Sequence, residues 1–168
     1  MKTTFFSGLL VAAMAIMLSS CAVNFNGVTA NYTPMNNYYV NNNFANGTHR
    51  LVIHNQQEFN SVFGTAAVMG HNGHPTAINF SRQFVAAVIL PETDRQTDIE
   101  TVMIKRDGDR LYYSYIVREG HRTSYTIRPF VAAVVDRNEP SDVVFQRVTQ
   151  SDLEQAGIRY NGGIRNTK

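Results

Sequence analysis

Residues 82–88 read RQFVAAV, and residues 128–134 read RPFVAAV, six identities in seven. A duplicated domain would carry the likeness upstream, but HPTAINFS precedes the first copy and GHRTSYTI the second. The likeness stops at the phrase. A run such as Phe-Val-Ala-Ala-Val has no polar alternate position, which is what a strand buried on both faces requires, and its paired alanines leave room for a packed helix. The two phrases are therefore expected as the two inner strands of one sheet, with Pro129 marking a kink or bulge where the second strand enters.

Outward from these strands, residues 51–53 predict a short strand. Asn55 with Glu58 three residues on has the spacing of a capping box, and Phe59, Val62 and Phe63 share one helical face before Gly64 stops the helix. Residues 65–77 form a Gly-rich loop. Strand-like segments follow at 80–90, 99–106, 110–118, 123–135 and 143–148, separated by turn residues. Ser151 with Glu154 predicts a short capped helix ended by Gly157, and residues 161–168 are expected to fray. The fold class expected is α+β: a single domain over 49–160, with a twisted antiparallel β-sheet of about five to six strands, one packed helix and a short C-terminal helix.

If Asp107-Gly108 and Glu119-Gly120 are two-residue turns, Ile104 lies opposite Leu111, Met103 opposite Tyr112, and Ile116 opposite Thr123. One face then carries Ile99, Met103, Tyr112, Ile116, Tyr125 and Ile127, which is expected to be the core face. The other carries Val102, Ile104, Leu111, Tyr113, Tyr115 and Val117, with Arg122 and Arg128 beside them. It is too apolar to stand bare, so either the 55–63 helix covers it or a partner binds there through Tyr113, Tyr115, Arg122 and Arg128. A one-residue change in either turn exchanges the faces.

The chain has 168 residues, 43% hydrophobic and 17% charged, with a formal charge of +2 and no basic run that would follow a phosphate backbone. That composition fits one ordinary domain and excludes nucleic acid as an expected partner. Its most specific stretch is the N-terminus. Lys2 is followed by the apolar run FFSGLLVAAMAIML over 5–18 and then by Leu18-Ser19-Ser20-Cys21. As a helix the run spans about 21 Å, too short for a bilayer crossing but of signal-peptide length. The segment resembles a bacterial lipoprotein signal with cleavage before Cys21, the only cysteine. The resemblance implies a diacylglycerol thioether on Cys21 and stable attachment to a membrane. With that thiol modified, disulfides, Cys-type zinc sites and thiol nucleophiles are excluded. No acidic cluster follows Cys21, and an outer membrane facing the periplasm is the expected address.

Nine asparagines lie between Asn24 and Asn46 with interspersed tyrosines and few charges. Residues 21–48 are expected to be a flexible Asn-rich tether holding the domain on the order of 30 Å from the membrane, with a short edge strand over 38–40 as the alternative. No hydrolase, metalloprotease, phosphate-loop or dinucleotide motif occurs. No cofactor and no small-molecule substrate are expected. The best metal candidate is the pair His71 and His74, which with His121, His54 or Asp98 would serve a metal-dependent hydrolase; two imidazoles in a Gly/Asn loop do not complete a site. Asp94, Asp98 and Glu100 read as solvated turn residues.

The run LVIHNQQEFNSVF at 51–63, followed after the loop by INFSRQFVAAVIL at 78–90, resembles the C-terminal domain of the PrcB-like protease-complex subunit family. In that family a strand and a capped helix with an aromatic end precede such a strand and a twisted antiparallel meander. The resemblance covers about residues 49–148. It departs where members carry a Thr-Gly-Gly-Tyr turn and this chain has PETDRQTD at 91–98, and where a Pro-Arg or Pro-Lys pair is replaced by Asp136-Arg137. It implies a non-catalytic envelope lipoprotein that assists or binds a partner protein, and it brings no catalytic residues.

Overall fold

The computed structural model describes residues 22–66 and 73–162. In chain order the elements are β1 (Val28–Thr29), β2 (Tyr32–Pro34), β3 (Tyr38–Val40), β4 (His49–Ile53), α1 (Gln56–Val62), β5 (Phe63–Thr65), β6 (Gln83–Ile89), β7 (Thr93–Asp107), β8 (Arg110–Ile127), β9 (Phe130–Asp136), β10 (Asp142–Arg147) and α2 (Gln150–Gln155). Among the described residues the class is mainly β with two helices, in keeping with α+β. The strand count and layering differ from a single sheet. Two four-stranded sheets, ordered β1-β7-β8-β10 and β2-β9-β6-β4, pack face to face, and β3 and β5 form a small third one.

The repeated phrases sit where their composition requires. β6 and β9 are the inner strands of their sheet and pair antiparallel, with Ala86 opposite Ala133 and Ala87 opposite Ala132. Phe84, Ala86, Val88, Ala133 and Val135 face the other sheet, while Val85, Ala87, Ile89, Ala132 and Val134 face Phe59 and Val62 of α1 and Phe63 just after it. Each alanine pair thus leaves volume on its own face for aromatic rings, Tyr113 and Tyr115 on one side and Phe59 and Phe63 on the other. Pro129 makes no bulge. It lies just before β9, and its carbonyl accepts from the Leu90 amide at 2.9 Å.

β6 runs into β7 through residues 90–92, and β8 into β9 through 128–129, so the inner pairs of both sheets are one long ribbon bent over on itself. The turn at its end is Gly108-Asp109, flanked by the pair Asp107 and Arg110, with Gly108 at φ +61°. This moves the register two residues from the expected one: Ile104 pairs with Tyr113 and Met103 with Ser114. A shift of two preserves the faces. A bulge between Thr101 and Met103 then exchanges two residues: Ile99 enters the core between the sheets, and Val102 packs on the opposite side.

Three expectations are overturned here. Glu119-Gly120 is not a turn: β8 runs through it unbroken, with Thr97 opposite Glu119 and Gly120 lying against Gln96. The face bearing Ile104, Leu111, Tyr113 and Tyr115 is the main core, covered by the second sheet rather than by α1 or a partner. Of the face expected to be core, Tyr125 is 60% exposed, while Ile116 packs with Val148 and Leu153 in a smaller cluster under α2.

The Asn-rich segment is not a tether. It supplies β1, β2 and β3, the last being the alternative strand over 38–40, and it buries Ala30, Met35 and Val40. Its asparagine side chains act as cross-links: Asn31 donates to Asp136, Asn37 to the His74 carbonyl, and Asn41 to the Asn60 carbonyl.

α1 has the expected N-cap, Asn55 Oδ1 accepting from the Glu58 amide at 2.9 Å, but not the full capping box: the Glu58 carboxylate accepts from the His54 amide rather than from that of Asn55. It ends at Phe63, where the backbone turns extended, and not at Gly64. The cap of α2 falls two residues earlier than expected, on Thr149 with Asp152. Gly157, at φ +70°, closes α2: the Ile158 amide reaches the Leu153 carbonyl and the Gly157 amide the Glu154 carbonyl.

Candidate functional site

Among the described residues, the only strand on the outer edge of β7 is β1, which pairs with Lys105 and Arg106. Beside that edge the two sheets leave a cleft of about 330 Å³, lined by Met35, Ile99, Phe130, Val131 and Ala132, with Asn36, Asp98, Glu100, Thr101 and Tyr160 among its polar residues. Asp98 and Glu100 alternate with inward-facing Ile99, so both carboxylates lie on the side of β7 away from the main core.

The charged groups there are largely paired with one another. Arg118 Nη1 lies 3.1 Å from Glu100 Oε2, and the Tyr160 hydroxyl donates to the same oxygen at 2.6 Å. The Arg118 guanidinium stands 5.4 Å from the centre of the Tyr160 ring. Side-chain exposures of 19% and 18% make Arg118–Glu100 a sheltered pair, unlike surface ion pairs that contribute little. Burial first, and then the hydrogen bond to Glu100, push the Tyr160 phenol up to about 12, so it is a proton donor at neutral pH. Gly162 passes close by: a Cβ there would come within 2.5 Å of Glu100 Oε2 and of the Tyr160 ring.

Asp94, Asp98 and Glu100 are strand residues of β7 rather than turn residues; Asp94 is solvated as expected, while Asp98 and Glu100 are partly buried. Chemically, the cleft offers an apolar floor and a rim of hydrogen-bonding groups. Its carboxylate Glu100 is held by a cation, Arg118, and a phenol, Tyr160.

The residues expected to bind a partner are not gathered on one surface. Tyr113 is 0% and Tyr115 1% exposed, both between the sheets. Their hydroxyls are satisfied internally: Tyr113 is 2.7 Å from the Thr101 hydroxyl, and Tyr115 accepts from Arg50 at 3.3 Å. Burial raises the Tyr113 phenol far above its ordinary value. Arg122 is exposed and pairs with Asp94 at 3.3 Å. Arg128 is a structural clamp, donating to the Phe44 and Ala45 carbonyls and covering the Phe44 ring.

Cys21 and His71 lie outside the described residues. His74 is exposed, and His54 packs its ring 5.7 Å from Phe84. Among the described residues no group of three or more His, Cys, Asp or Glu side chains could hold a metal ion, and no helix is long and apolar enough to cross a membrane. Sequence reasoning missed Arg118 and Tyr160, which are 42 residues apart and meet only because the C-terminal segment folds back over β7.

No family model matches the chain, and no curated protein or solved structure matches it either.

Proposed function

We propose that this is a lipid-anchored, non-catalytic binding or accessory protein of the bacterial cell envelope, attached through Cys21 to the periplasmic face of the outer membrane, which engages another envelope protein. The observation that carries the binding role is the cleft at the outer edge of β7. Its apolar lining and the strand edge beside it, which carries no partner strand among the described residues, suit an extended polypeptide, whose backbone can add to a sheet edge while its side chains enter the cleft. The closed Glu100–Arg118–Tyr160 cluster favours binding over chemistry, because it fixes the rim without leaving a free nucleophile–base pair. The resemblance to the PrcB-like subunit family agrees with such a role, with a protease complex as one partner of that kind.

Two experiments test this reading. A photo-crosslinker at Asn36, on the cleft rim, is expected to capture a discrete partner in native envelopes, and Val131→Arg in the cleft wall is expected to abolish that adduct. The same adducts from a probe at Gln57 on α1, or none from Asn36, would contradict it. Cys21→Ala is expected to move the protein from the membrane fraction to the soluble one; unchanged fractionation would refute the anchor.

A further inference from the structure

We infer that Asn46 is a site of self-modification, where the side-chain amide closes on the Gly47 nitrogen to a succinimide that opens to aspartate or isoaspartate. The Gly47 amide lies 2.9 Å from Asn46 Oδ1, so the carbon bonded to that oxygen, Cγ, is held beside the nitrogen that attacks it. The same oxygen accepts from the Glu92 amide at 3.0 Å. A donor at that distance is placed to stabilise the negative charge that gathers on Oδ1 as the tetrahedral intermediate forms. Asn46 is exposed, so solvent base reaches the site. Gly47, at φ +130°, has no side chain to shield its nitrogen, and the nearest atom to where a Cβ would stand is His49 Nε2 at 3.7 Å.

The chemistry needs only base and water. Hydroxide takes the Gly47 amide proton, and the nitrogen's electron pair forms the bond to Cγ. The Cγ–Nδ2 bond then breaks, and Nδ2 leaves as ammonia after taking a proton from water, which restores the hydroxide. Water adds to the imide at one of its two carbonyls. Opening at Cγ gives aspartate at position 46 with the ordinary main chain; opening at the backbone carbonyl gives isoaspartate, whose main chain runs through Cβ and Cγ.

The dipeptide Asn-Gly also occurs at 26–27, 72–73 and 161–162, so composition does not single out Asn46. Asn72 lies outside the described residues. Among the described residues, only the pair at 46–47 has the asparagine side-chain oxygen bonded to the following amide. The glycines of the other two are wedged against neighbours: a Cβ on Gly27 would fall 2.1 Å from the Arg106 carbonyl oxygen, and one on Gly162 2.5 Å from Glu100 Oε2. Closing a planar imide there pushes on atoms already in contact.

The loop around Asn46 is held from several sides. Arg128 donates to the Phe44 and Ala45 carbonyls, His49 Nε2 lies 2.9 Å from the Ala45 carbonyl, and Asn46 Oδ1 ties the loop to residue 92, where β6 bends into β7. Aspartate keeps an oxygen for the Glu92 amide. Isoaspartate adds a carbon to the main chain inside this clamp and draws the Cγ carbonyl into it, which displaces the oxygen that Glu92 uses.

The test ages the full-length protein at mildly alkaline pH, folded and in denaturant, and follows each site by mass spectrometry of its peptides. In the folded protein residue 46 is expected to convert several-fold faster than residues 26 and 161, and in denaturant the three rates are expected to converge. Asn46→Gln is expected to abolish the fast phase of mass gain. A folded rate at 46 no greater than at 26 and 161, a ratio that persists unchanged in denaturant, or survival of the fast phase in Asn46→Gln would overturn the inference.

Discussion

The β7–β8 ribbon has two halves of the same backbone that live in different solvents. In its hairpin half, Ile104, Leu111, Tyr113 and Tyr115 are sealed against the second sheet, and β1 and β10 flank the ribbon on either side. In its corner half, from Thr93 to Asp98 and from Arg118 to Ile127, no strand flanks the ribbon among the described residues, the register slips between Thr93, Arg95 and Thr97, and Arg122 and Tyr125 stand in water. Burial in this molecule comes from what lies over a strand and beside it, not from the strand's own alternation. The cleft sits where the two halves meet.

The contrast can be broken most sharply from the inside. Tyr113→Ala removes a fully buried ring from between the sheets and leaves Thr101 without its partner; the expected loss is about 3–5 kcal/mol, read by chemical denaturation. Next comes the flank that makes the hairpin half an interior. Gly27→Ala forces a Cβ into the Arg106 carbonyl and is expected to cost about 1–3 kcal/mol and to expose the Ala30 amide to exchange. A loss as small as that of a surface substitution would show that β1 is dispensable.

At the boundary between the halves, Tyr160→Phe deletes the bond to Glu100, with an expected loss of about 1 kcal/mol at neutral pH. The same variant tests a pH dependence. Folding raises the Tyr160 phenol from its usual 10.0 to about 12, so the folded state holds this proton more tightly than the unfolded state does. Its contribution is fully present below pH ~10 and fades as the pH rises through about 12. Wild type is therefore expected to lose more stability than Tyr160→Phe across that window, and tyrosinate absorbance should show a late-titrating group that the variant lacks. Smallest of all, Arg122→Ala in the corner is expected to change stability by no more than about 0.5 kcal/mol, since its partner Asp94 is solvated.

Parts of this arrangement were legible in the chain because they leave local signatures. The Phe-Val-Ala-Ala-Val runs of β6 and β9 announce strands with no wet face, and Asn55 with Glu58 announces the start of α1. The corner was illegible for the opposite reason: Glu119-Gly120 is a turn by composition, and it is extended here because β7 runs beside it, with Thr97 opposite Glu119 and Arg95 opposite Arg122. The Asn-rich segment hid for another reason. Its buried residues, Ala30, Met35 and Val40, fall five apart and make neither a helical nor a strand period, while its asparagines hold the fold through distant backbone and carboxylate partners. The cleft joins β2, β7, β9 and the C-terminus, and no local pattern reports such a meeting.

The most direct test of the account is native-state hydrogen exchange along the chain. The Ala30 amide, bonded to the Ile104 carbonyl at 3.0 Å, and the Met35 amide, bonded to the Ala132 carbonyl at 2.9 Å, are expected to be protected together with β6 and β9, while residues 121–126 exchange rapidly. Ala30 and Met35 exchanging at the rate of an unfolded chain, with the rest of both sheets protected, would contradict it: the Asn-rich segment would then be a tether after all, and the hairpin half of the ribbon would lose its flank.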